Sequence, residues 1–127
     1  MDLDRRQTLG AAFGLALTAT AAPASGETPM YGLIGRMKAQ PGQRDALAAI
    51  LLEGTTEMPG CRSYVVARDP ADPNGLWVTE VWDSAESHRA SLSLPAVQSV
   101  IARGRPLIAG FDSQTETEPV GGFGLAG

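Results

Sequence analysis

The chain has a single cysteine, Cys61, and a single histidine, His88, among its 127 residues. One cysteine excludes an intramolecular disulfide, and the pair is too few for a CxxC or Cys/His zinc site within one subunit. No glycine-rich phosphate-binding turn lies between a strand and a helix, so neither a metal nor a flavin or dinucleotide is expected. Positive charge is scarce as well. Ten Lys and Arg against 14 Asp and Glu leave a net charge of −4, which argues against nucleic acid, whose phosphates demand a Lys/Arg surface. What the chain does have is ordinary for a soluble globular domain, with 43% hydrophobic and 19% charged residues. Its length allows one domain with a modest core.

The N-terminus is a separate object. Arg5 and Arg6 stand directly before an uncharged Ala/Gly/Leu-rich run from Leu9 to Ala22. The run is too short to anchor a folded protein across a bilayer but suits the apolar region of a secretory signal. It leads to Ala22-Pro23-Ala24, a small-x-small cleavage site. Adjacent arginines before a weakly hydrophobic run resemble a twin-arginine signal, although Asp4 and Thr8 depart from the usual flanking residues. Residues 1–24 are therefore expected to be an export signal that carries an already folded protein to the periplasm or medium, with no membrane contact after removal.

From Met30 the pattern is that of a folded domain. Met30–Ala39 alternates as a strand, with Tyr31, Leu33, Gly35 and Met37 on one face. Pro41-Gly42 breaks it. From Gln43 to Met58 the spacing turns helical, with Leu47, Ile50, Leu51, Gly54 and Met58 on one stripe. Cys61–Arg68 and Leu76–Trp82 read as strands joined by the turn-rich Asp69–Gly75. Glu80 and Trp82 share a face with Leu76 and Val78. Asp83-Ser84 followed by Glu86 opens a short helix to about Leu92. Pro95 starts another, Ala96–Ile108, whose regularity Pro106 limits. Phe111–Glu118 reads as a polar edge strand, and residues 119–127 as a flexible glycine-rich tail.

The order is β-α-β-β-α-β, the split β-α-β or ferredoxin-like plan of an α+β fold with helices on one sheet face. About ninety residues cannot cover the other face, so a homodimer is the expectation.

Four segments carry a family resemblance: Pro-Gly-Gln-Arg-Asp-Ala-Leu at 41–47, Met-Pro-Gly-Cys at 58–61, Arg-Asp-Pro-Ala-Asp-Pro at 68–73 and Glu-Val-Trp-Asp-Ser-Ala-Glu-Ser-His at 80–88. In that order they resemble the antibiotic biosynthesis monooxygenase domain, in its quinol monooxygenase branch, and place it at residues 30–118. The resemblance implies a dimeric α+β barrel that oxidises quinols or polycyclic phenols with dioxygen and without metal or flavin. Ser91 stands where many relatives have a second histidine. The haem-degrading branch pairs an Asn on the first strand with a His on the last helix, and this chain has neither.

Oxygenation without a cofactor needs an electron-rich substrate, an apolar cavity and a group that takes the phenolic proton near neutral pH. Imidazole is the side chain that ordinarily titrates there, and His88 is the only one, which makes it the candidate proton acceptor. Its bland alternative is a helix-surface or dimer-rim histidine. Trp82 is the candidate stacking partner for an aromatic substrate, or else a core tryptophan. Tyr64 is a candidate hydrogen-bond donor to a substrate oxygen. Glu80 is a second candidate acid–base group, or else half of an ion pair with Arg62 or Arg68. Arg36 reads as a solvated strand residue and Cys61 as a small buried apolar one.

Together with what the resemblance implies, these residues set the expectation of an exported homodimeric monooxygenase acting on a quinol or similar phenol. The rival readings are a non-catalytic module that binds a small ligand or only dimerises, and an isomerase or decarboxylase using the same cavity. The export reading is tested directly by intact mass of the protein recovered from an exporting host. The mature chain should begin at or near Ser25, and a soluble product retaining Met1 or Asp2 would refute it.

Overall fold

Alternating strands turn one row of apolar side chains to a common face, and the sheet assembles around it. The computed structural model describes residues 28–125, so the export signal read at 1–24 lies outside the described residues. Their elements are β1 (Tyr31–Ala39), α1 (Arg44–Glu53), β2 (Cys61–Arg68), β3 (Gly75–Trp82), α2 (Ala85–Ser91), α3 (Pro95–Gly104), a 3-10 turn (Arg105–Leu107) and β4 (Ile108–Thr117). The four strands form one antiparallel sheet in the order β2-β3-β1-β4. Each βαβ unit thus skips over one strand, which is the expected ferredoxin-like plan.

Register explains the core. Met37 lies opposite Leu76, Gly35 opposite Val78 and Tyr31 opposite Trp82, while Val66 faces Val78 from the other side. Leu47 and Leu51 of α1 and Val97 and Val100 of α3 descend onto this face. Leu76 and Trp82 are 0% and 1% exposed. Among the described residues no helix covers the opposite face of the sheet, which presents Ile34, Val65, Trp77, Thr79 and Val81. Among the described residues no helix is long and apolar enough to cross a membrane.

Three boundaries differ from the sequence reading. The first helix ends at Glu53, not Met58, because Gly54 is where α3 crosses it. A Cβ at Gly54 would overlap Val100 Cγ2 and stand 2.8 Å from the Ala96 carbonyl oxygen. The residues after it leave the helix, and the Thr55 hydroxyl donates back to the Leu51 carbonyl at 2.7 Å. The third helix stops at Gly104, since Pro106 closes a separate 3-10 turn. That turn releases the chain early enough for Ile108 to pair with Ala39, so β4 starts at Ile108 rather than Phe111.

Arg36 is not solvated, contrary to expectation. Its guanidinium donates to Asp69 and Asp72 of the β2–β3 hairpin and to Asp112 of β4, and it lies over the Trp77 ring at 5.8 Å. The acids converge because the hairpin folds across the strand end, while an irregularity in β4 leaves Asp112 beside Arg36. Asp69 and Asp72 also accept the backbone N–H groups of Ala71 and Asn74. Those N–H groups first, then the cations Arg36 and Lys38, hold both carboxyls below the usual carboxylate range. Carboxyls depressed in the folded state stabilise it above about pH 4 and lose that contribution as pH falls through their folded values.

The α1–α3 crossing is open to test. Gly54 has φ −101°, a conformation any residue adopts, so the backbone alone would gain about 0.4–1 kcal/mol from alanine. Steric overlap with α3 should reverse that sign. Gly54→Ala is expected to cost about 1–3 kcal/mol, lowering Tm by roughly 4–8 °C per kcal/mol for a domain of this size. Thermal circular dichroism reads the shift, and a raised Tm would show that the crossing has room.

Candidate functional site

The site begins with two residues of β3. Glu80 and Trp82 point to the same face, and the Trp82 indole N–H donates to Glu80 Oε1 at 2.8 Å. Immediately after β3 the chain turns into α2. The Ser84 hydroxyl accepts the Ser87 N–H at 3.1 Å and caps that helix, as Asp83-Ser84 suggested. Gly60, at φ 86°, lets the start of β2 pass close against Ser87 and Asp83, and the Asp83 N–H donates to the Gly60 carbonyl at 2.8 Å. The helix is thereby held at the sheet end with His88 one turn in.

His88 is fixed from two sides. Its ring lies 5.4 Å from Trp82 in an edge-on arrangement and 5.4 Å from Tyr31. Its Nε2 stands 4.0 Å from Glu80 Oε1. The Glu80 carboxylate therefore sits between an indole N–H and an imidazole, with both His88 and Glu80 largely shielded from solvent. Tyr64 reaches the same place from β2, where it is paired with Glu80 across the strands. Burial, and secondarily the negative charge of Glu80, push its phenol far above the usual range. Tyr64 accordingly keeps its phenolic proton well above the neutral range.

Tyr64, Glu80, Trp82 and His88 all line one cavity of about 140 Å³. Its remaining wall is mostly apolar, with Leu51, Met58, Val97 and Val100. All four sequence candidates are thus brought together, an imidazole, a carboxylate, a phenol and an indole in one mostly apolar cavity. Two larger cavities adjoin it. One of about 370 Å³ shares Tyr64 and Glu80, and one of about 410 Å³ shares Leu51, Val100 and Ile101.

The ion pair expected for Glu80 does not form. Arg62 donates to the Leu125 carbonyl at 3.1 Å, and Arg68 pairs with Asp45 at the surface. A register shift between Cys61 and Ser63 turns Arg62 outward, and Arg68 stands at the far end of β2 opposite Leu76. Cys61 is half-buried and burial raises its thiol, in keeping with an unreactive residue.

Tyr31 was not singled out from sequence, and Ser91 was named there only for the histidine it replaces. Tyr31 packs on His88 while its hydroxyl donates to Glu116 Oε2 at 2.8 Å, an arrangement that raises its phenol. Its place on the Leu33 face was the available signal. Ser91, 4% exposed, donates its hydroxyl to the His88 carbonyl at 2.6 Å. It braces the turn that carries the imidazole and has no titratable proton to offer. Among the described residues, no three His, Cys, Asp or Glu side chains are grouped so as to hold a metal ion.

Comparison with known proteins places the fold. A family model described as antibiotic biosynthesis monooxygenase matches residues 30–103. A solved Chloroflexus aurantiacus protein described as an antibiotic biosynthesis monooxygenase is 69% identical, with 76% of this chain and 99% of that one covered and a TM-score of 0.75. A Caulobacter crescentus protein of the same description is 19% identical over 74% of this chain and 92% of its own, with a TM-score of 0.67. SnoaB, a cofactor-independent oxygenase from Streptomyces nogalater, is 13% identical over 76% of this chain and 98% of its own, with a TM-score of 0.63. The last two likenesses show the fold alone. No curated protein matches the chain. The matched span covers most of the folded region and the 69% identical relative shares it almost end to end: the chain belongs to the antibiotic biosynthesis monooxygenase family.

Proposed function

We propose that this protein is a cofactor-independent monooxygenase acting on a quinol or other small phenol, as a homodimer exported by the signal at residues 1–24. The observation that carries the reading is the convergence of His88, Glu80, Tyr64 and Trp82 on one otherwise apolar cavity of about 140 Å³. An apolar cavity of about 150 Å³ is known to hold benzene, so a single aromatic ring fits this one. The presence of a cofactor-independent oxygenase, SnoaB, among proteins of the same fold is consistent with it.

In this reading His88, oriented by Trp82 and Tyr31, removes the phenolic proton, and the neighbouring Glu80 carboxylate stabilises the imidazolium that results. The phenolate passes one electron to dioxygen, the resulting superoxide couples with the ring radical as a peroxide anion, and His88 returns its proton to make the hydroperoxide. Loss of water leaves a carbonyl at that carbon. The balance is phenol plus dioxygen giving quinone plus water, with every electron supplied by the substrate. Tyr64, kept protonated, donates to a substrate oxygen, and the apolar walls keep water from the intermediate.

Turnover tests the site. Dioxygen uptake with a panel of quinols should proceed in the presence of chelator and without flavin. His88→Ala should lower it more than tenfold, since a positioned base contributes about 10²–10⁴-fold, while thermal melt and oligomeric state stay unchanged. Unchanged turnover in a folded His88→Ala protein would move the proton acceptor to Glu80. Absence of uptake across the whole panel would favour the non-catalytic binding reading.

The dimer follows from the uncovered sheet face. Ile34 and Val65 are exposed there beside Trp77 and Val81, and an antiparallel sheet with apolar side chains on both faces needs a cover for the second. Sedimentation equilibrium at micromolar concentration should give a dimer. A monomer under those conditions would refute it.

A further inference from the structure

Phe111 is a large apolar side chain that the chemistry above does not use. It stands 73% exposed on an edge strand whose following residues are polar. Pairing with Met37, beside the register shift in β4, turns it to the helix side of the sheet. There it lines both larger cavities. The cavity of about 370 Å³ runs from Tyr64 and Glu80 past Leu33 and Met37 to Phe111. The cavity of about 410 Å³ is walled mostly by carbon, with Arg105 its one charged lining residue, and joins Leu51 and Val100 to Ile108 and Phe111. Through the second of these a mostly apolar route leads from the cavity at His88 to an exposed phenylalanine at the sheet edge.

We infer that the substrate carries a flexible apolar chain, and that the 410 Å³ cavity ending at Phe111 receives it while the ring lies at His88, Glu80 and Tyr64. The inference rests on the proposed function of that site. Its size suits a ligand subsite, which typically falls in the range of about 300–1,000 Å³. Flexibility follows from the dividing wall. Leu51, Val100 and Ile101 line both the ring cavity and the chain cavity, so they separate the two as well as join them. A group spanning both must bend past those side chains, which rotatable methylenes do and a rigid fused-ring system does not. The exposed Phe111 then has a role: it covers the outer part of the chain and is itself covered by it.

Binding of quinones, which are already oxidised and have no electron to pass to dioxygen, tests this without turnover. The probes are a decyl-substituted benzoquinone and its tail-less methyl analogue, with Kd read by tryptophan fluorescence quenching and calorimetry. Each methylene taken out of water contributes roughly fourfold in affinity at 25 °C. Partial burial of the chain should therefore make the decyl compound at least about tenfold tighter. Phe111→Ala should cut that advantage to threefold or less and leave the Kd of the methyl analogue unchanged, while Phe111→Leu retains most of it. Equal affinity for the two probes in the parent protein would overturn the inference. So would a chain advantage that survives Phe111→Ala, or a Phe111→Ala protein that becomes monomeric, since Phe111 would then be a subunit contact. Fast oxidation of tail-less quinols with no chain preference would sink this inference and leave the proposed function standing. Chain-dependent binding with no dioxygen uptake would do the reverse.

Discussion

The hydrogen bond from the Trp82 indole to Glu80 is the contact on which the site depends. Glu80 sits on the sheet face that builds the core, among Leu33, Tyr64 and Val78. A carboxylate taken into such surroundings without a partner would cost several kcal/mol. The indole N–H meets that need without adding a positive charge, which leaves the carboxylate free to act on His88. The same bond fixes the Trp82 ring, and the ring in turn gives His88 an edge to pack against. One polar contact between residues two apart on a strand therefore positions three of the four side chains in the cavity.

Helix placement decides how much space remains around them. Gly54 allows α1 and α3 to meet closely, with α1 against β1, β2 and β3 and α3 against α1 and the 3-10 turn. The β4 edge is left largely uncovered, and Phe111 stands exposed there. A roof centred over the sheet would have filled the space between Leu51, Met37 and Ile108. The uneven roof instead leaves adjoining cavities beside the polar cluster.

Lysine and arginine are arranged so that they stay out of the ring cavity. Arg36 and Lys38 are engaged by Asp69, Asp72 and Asp112 at the hairpin end of the sheet, and Arg44 donates to the carbonyls of Asp69 and Asp72. Arg68 and Arg103 pair with Asp45 and Glu53 at the surface. The ring cavity has no arginine or lysine in its wall, so the charges there are those of Glu80 and of a protonated His88. An anionic substrate is not drawn in by a fixed cation; a neutral phenol that ionises next to imidazole suits the lining better.

Much of this was legible in the residues. Strict alternation in Tyr31–Ala39 and Leu76–Trp82 dictated which side chains share a face, so Glu80 with Trp82 and Tyr31 with Leu33 followed from spacing alone. Ser84 announced the start of α2, and that set His88 one turn beyond the strand. Element order implied the split β-α-β sheet. Tertiary structure decided what spacing cannot express. Helix length at Gly54 was set by a crossing partner some forty residues away in the chain, where helical periodicity by itself ran on to Met58. Arg36 became an internal ion-pair hub because acids from the hairpin and from β4 converge on it, a meeting that no local pattern encodes. Glu80 found an indole rather than an arginine because a register shift at Cys61/Ser63 turned Arg62 outward. Periodicity reports which way a side chain points; which groups it then meets depends on strand register and helix crossing, and those are settled only when distant segments pack.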